Sequence, residues 1–151
     1  MISCKAEDRE ITGEKLSGAM EKIDSDVEVL GERVEEFDKL ETINFENITA
    51  GEILDLVSLN YQYTTTEEQS ADANILKAEF VDGRKIMITR FNSLDGVESF
   101  FLQLQSNLYN QGYIFKGRLK YSDICNIFEN SEQLNKVYLL KKYNFLILLV
   151  K

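Results

Sequence analysis

Seven apolar side chains near the start of the chain recur at alternating steps of four and three: Leu16, Met20, Ile23, Val27, Leu30, Val34 and Phe37. On an α-helix this spacing lines them along one stripe, with charge around the remainder. Such a stripe has to be covered. The pattern therefore predicts a long amphipathic helix over residues 13–41 and a surface for it to pack on. Two surfaces compete. With Met20, Val27 and Val34 at heptad position a, and Leu16, Ile23, Leu30 and Phe37 at d, the side chains suit a parallel pair of helices. The flanking positions do not. Asp24, Gly31 and Asp38 fall at e, and Ala19, Asp26, Arg33 and Leu40 at g, so only Arg33 with Asp38 attracts across the seam. Gly31 also costs a helix interior about 1 kcal/mol against Ala. The expectation is a helix covering the sheet of its own chain; dimerisation through residues 13–41 is the alternative.

That sheet is legible further on. Phe145-Leu146-Ile147-Leu148-Leu149-Val150 is apolar without alternation, which marks a strand covered on both faces. It forms a hairpin with Val137 to Leu140, turning through Lys142-Tyr143-Asn144. A second hairpin spans Asn74 to Phe91 around Asp82-Gly83. A two-residue loop there would set Glu79 beside Ile86 and mix charge with apolar groups on each face. A three-residue loop with Gly83 left-handed pairs Leu76 with Ile88, Ala78 with Ile86 and Glu79 with Lys85, giving one apolar face. Tyr61 to Thr64 alternates and starts a strand, after which the chain reads as a loop to Ala73. Tyr113 to Leu119 reads as a strand with Phe115, Gly117 and Leu119 on one side.

Helix starts are equally visible. Thr49-Ala50-Gly51-Glu52 is a capping box, with Ile53, Leu56 and Val57 facing inward. Asn92 or Ser93 caps a helix to about Asn110, whose stripe is Leu94, Val97, Phe101, Leu104 and Leu108, widened by Phe100, and whose other face is Gln and Asn rather than charge. Gly112 ends it. Ser122 is read as the cap of a short helix burying Ile124, Ile127 and Phe128. The expected fold class is therefore α+β: a mainly antiparallel sheet built from hairpins, packed with helices, with the long N-terminal helix over it. Residues 1–12 read as a polar tail and 13–151 as a single domain.

Composition narrows function by exclusion. The chain has no His, which removes the commonest general base and neutral metal ligand, and with them Ser-His-Asp, Cys-His and histidine–zinc arrangements. Cys4 and Cys125 are too far apart for a zinc cluster. Asp24-Ser25-Asp26 with Glu35 lacks the glycine a calcium loop needs at its sixth position. The glycines form no phosphate-cradling loop. Cofactors and metals are not expected. Phe145–Val150, the longest apolar run, is far short of the ~20 residues a membrane-crossing helix needs.

The net charge of −9 is uneven: residues 1–72 hold 19 acidic and 6 basic side chains, residues 73–151 hold 7 and 11. The two halves should attract each other, and the acidic one should repel phosphate backbones, so nucleic acid is not an expected partner. Arg90, Lys116, Arg118 and Lys120 are candidates for an anion or partner patch. At the N-terminus, Ile2-Ser3-Cys4 followed by Lys5-Ala6-Glu7-Asp8 resembles the end of a bacterial-type lipoprotein signal with its tether, which makes Cys4 a candidate lipid-attachment site. The functional expectation is a non-enzymatic binding domain for a protein or small-molecule ligand, exported and membrane-anchored if Cys4 carries lipid. The alternative is a cytosolic interaction protein dimerising through residues 13–41.

Overall fold

The computed structural model describes residues 29–151. In chain order its elements are β1 (Val29–Leu30), α1 (Glu35–Asp38), α2 (Ala50–Val57), β2 (Tyr63–Gln69), β3 (Ala73–Phe80), β4 (Lys85–Phe91), α3 (Leu94–Asn110), β5 (Ile114–Leu119), β6 (Ile124–Asn130), β7 (Asn135–Lys142) and β8 (Phe145–Val150). The strands form one eight-stranded sheet in the order β1-β5-β6-β7-β8-β4-β3-β2. Every pairing is antiparallel except that of β1 with β5.

This architecture corrects the expected fold class. One large sheet dominates the described residues, and among them there is no long N-terminal helix over it. Residues 13–28 of the expected helix fall outside the described residues. Its described remainder is not one helix: Val29 and Leu30 pair in parallel with Arg118 and Leu119, Val34 is extended, and a single helical turn follows at Glu35–Asp38. The stripe still buries its end. Val34 and Phe37 are 1% exposed, and Leu30 packs against the same core. Burial of that stripe was a real constraint, but an extended segment meets it as well as a helix does, and ladder hydrogen bonds to β5 replace the helical ones.

The second correction is β6. Ile124, Ile127 and Phe128 lie on a strand between β5 and β7, not on a helix. Cys125 and Ile127 face one core and Phe128 the other. A strand buried on both faces has no alternation to separate it from a short buried helix. Residues 63–69 are likewise a full edge strand rather than a loop.

The hairpin around Asp82-Gly83 has the register read from the sequence. Leu76 pairs with Ile88, Ala78 with Ile86 and Glu79 with Lys85, and Gly83 has φ of +96°. β7 and β8 turn through Tyr143 and Asn144. Thr49 and Glu52 form the capping box, and Ser93 accepts the Gly96 N–H at the start of α3.

β8 sits near the middle of the sheet, and a core grows on each side of it. Phe145, Ile147 and Leu149 meet Val34, Phe37, Leu40, Phe45 and α2. Leu146 meets Val97, Phe101 and Leu108 of α3 on the other face, with Leu148 and Val150 at the margin.

Charge ties the N-terminal segment to its face. Glu36 is 1% exposed, its Oε2 paired with Arg84 and its Oε1 3.1 Å from Lys151 Nζ. Arg84 lies over the rings of Tyr61 and Phe80 and binds Asp82, whose carboxyl is held below its usual range first by the Arg84 amide. Tyr138 donates to Glu32 at 2.7 Å. The pairs of Glu36 with Arg84 and Lys151 are contacts between the acidic N-terminal half and the basic C-terminal half that the charge balance foreshadows.

Two stability measurements check this account. A Cβ at Gly83 meets nothing within 4 Å, so Gly83→Val acts through backbone strain alone and should cost about 1–2 kcal/mol in urea unfolding. Glu36→Ala removes one of the two carboxylates that Arg84 meets, leaving Asp82 at 2.8 Å, and should cost about 1–3 kcal/mol in the same measurement.

Candidate functional site

Helix α3 crosses only part of its face of the sheet. It rests on β6, β7, β8 and the end of β4, where Phe91 and Phe100 meet at 5.4 Å between ring centroids. The β2–β3 side of this face stays uncovered: Thr64, Thr66, Lys77 and Glu79 are exposed. Two cavities result along the uncovered side.

The first, about 340 Å³, has a floor of Met87, Leu148 and Val150. Its rim is Thr64, Thr66, Lys77, Glu79 and Lys85. Rim charge is answered locally: Lys77 pairs with Glu68 at 3.2 Å, and Glu79 stands opposite Lys85 in the ladder. This is how the wet face of an antiparallel sheet is ordinarily built.

The second cavity, about 450 Å³, lies where α3 begins. Its floor comes from β3 and β4 and includes Ile75, Thr89 and Phe91; its wall comes from α3 and includes Gly96, Ser99, Phe100 and Gln103. The local sequence explains the shape. Ser93 caps α3 immediately after β4, so the chain turns from strand to helix in two residues and brings the helix flank over the strand end. Gly96 lets the two approach, since a Cβ there would stand 3.4 Å from Phe91 Cδ1. Thr89 is the distinctive residue: it is 1% exposed, and its Oγ1 has no hydrogen-bond partner in the structure. A hydroxyl buried in this way costs free energy unless something outside the fold satisfies it.

A polar group also runs inside the second core. Asn126 donates to Gln105 at 2.9 Å, and Arg118 Nε donates to Asn126 at 3.3 Å. Gln105 and Asn126 are fully buried, and this chain fixes the spacing of α3 over β5 and β6.

The structure does not gather the four basic residues of the expected patch. Arg90 is on β4, four strand positions from β5 and so roughly 19 Å away. Lys116 sits in a β-bulge between Phe115 and Gly117. The bulge turns the alternation over: Phe115 and Arg118 share one face, while Gly117 and Leu119 share the other. Arg118 joins the buried polar group, and Lys120 offers its carbonyl to Arg33 at 3.0 Å. Cys4 lies outside the described residues. Cys125 is buried, and burial pushes its thiol up. Among the described residues no helix is long and apolar enough to cross a membrane.

Sequence reading missed Thr89 because the alternation of β4 places it on what reads as the outer face, with Lys85 and Met87. The signal was the neighbouring helix, whose Gln- and Ser-bearing flank lacks the charge of an ordinary solvated face. Comparisons of the chain with protein-family models, curated proteins and solved structures find no match.

Removing the unpartnered hydroxyl tests its cost. Thr89→Val should stabilise the unliganded protein by about 1 kcal/mol, read as a higher midpoint in urea with unchanged slope. A loss of stability would mean that the hydroxyl is satisfied within the fold.

Proposed function

We propose that this chain is a binding module that does no chemistry of its own and takes a small molecule in the cavity between α3 and the β3–β4 ladder. The observation that carries the reading is Thr89, a residue that lines a cavity of about 450 Å³, within the size range of small-molecule sites, and whose hydroxyl is buried and unpartnered. Two further facts support binding over catalysis. The chain has no His to serve as a base at neutral pH. Its buried Cys125 has a raised pKa, the opposite of what a nucleophilic thiol needs.

Backbone-amide NMR of the full chain tests the proposal, with phenol, benzylamine, sodium benzoate and D-glucose added singly at millimolar concentration. The expected result is that at least one of these probes shifts the amides of Ile75, Thr89, Phe91 and Gln103 together and saturably. Shifts confined to the Lys77–Lys85 region would move the site to the other cavity. No saturable shift with any of them would reject a small-molecule site on this face.

A further inference from the structure

The chemistry of the cavity is specific enough to name a ligand class, and this step rests on the binding reading above. We propose that the cavity takes an uncharged, hydroxyl-rich ring: a monosaccharide, either free or as the terminal residue of a glycan.

Three observations select this class. The first is charge. No Lys or Arg lines the cavity, and Asp72 is the one ionic group on it. The N-terminal amide of α3 that reaches the lining, Gly96 N–H, is already taken by Ser93 Oγ at 3.1 Å. An anion would therefore meet a carboxylate and find no cation to answer it.

The second is the density of neutral hydrogen-bonding groups. Thr89 is a residue of the floor, and its buried Oγ1 has one donor and its acceptor lone pairs unused. Ser99 and Gln103 stand on the wall above it and can both donate and accept. A purely apolar ligand would displace water from Ser99 and Gln103 and leave Thr89 Oγ1 as unpaired as before, at the cost that attends any buried polar group. A ligand bearing a single polar atom would satisfy one of them. A ring carrying hydroxyls around its edge satisfies several at once, because each hydroxyl is donor and acceptor together.

The third is the apolar part of the lining. Phe91 and Phe100 stand 5.4 Å apart and tilted by 52°, with Ile75 beside them. A sugar presents C–H groups on one face and hydroxyls at its edge. That division matches aromatic side chains on one part of the lining and Thr89, Ser99 and Gln103 on the rest.

Saturation-transfer NMR on the full chain tests the proposal, with D-glucose, D-galactose, D-mannose and N-acetyl-D-glucosamine as probes and phenol and benzylamine as comparators. At least one sugar should receive saturation and should shift the amides of Ile75, Thr89 and Gln103. Thr89→Val, which keeps the side-chain shape and removes the hydroxyl, should weaken that sugar by about tenfold while the protein stays folded. The methyl glycoside of the responding sugar separates the two sources. Equal binding assigns the end of a glycan, and loss of binding assigns the free monosaccharide. If phenol or benzylamine shifts these amides and no sugar does, the binding reading stands and the saccharide assignment is overturned. If no probe shifts them, both fall.

Discussion

The structure is organised around one strand without a polar side chain. β8 is apolar at all six positions, so a cover is needed on each face of the sheet. The N-terminal segment and α2 cover one face, and α3 covers the other. The flanking strands β7 and β4 are pulled to the same place, since Tyr138, Leu140, Ile86 and Ile88 join one core while Val137 and Leu139 join the second. Away from this centre the demand for cover falls. β2 at the edge is exposed along nearly its whole length and carries Thr and Glu in place of Leu and Ile.

Two short covers over a wide sheet leave space. α3 is 17 residues long and lies over the apolar centre. It does not reach the β2–β3 side, where the strands need no protection from water. The cavity beside its first turns therefore follows from the same imbalance that holds the core together. Its floor residue Thr89 stands in the row of Ile75 and Leu146, positions given over to packing. A hydroxyl there adds nothing to the fold, and the binding reading supplies it with a purpose.

Electrostatics acts locally. The acidic N-terminal half and the basic C-terminal half meet through the buried Glu36, whose pair with Arg84 ties α1 to the β3–β4 turn and whose contact with the exposed Lys151 ties it to the residue after β8. Exposed pairs such as Lys77 with Glu68 add little, because water and salt screen them. The basic residues that looked like a patch in the sequence are divided among different jobs. Arg118 holds a buried amide pair, and the bulge at Lys116 sets the face on which it does so.

Short-range chemistry was legible in the chain itself. The capping box at Thr49, the Ser93 cap, the left-handed Gly83 and the register of the β3–β4 hairpin depend on neighbouring residues alone, so local sequence determines them. The need for cover on both faces of β8 was also written in its composition. What supplies that cover was not. The run from Leu30 to Phe37 has helical spacing, yet Val29 and Leu30 join β5, because a partner 89 residues away offers ladder hydrogen bonds that periodicity does not reveal. β6 was hidden for a related reason: a strand buried on both faces loses the alternation that would identify it. Thr89 became a candidate site residue only when α3 turned back over β4, since burial of a hydroxyl is a property of what surrounds it in space.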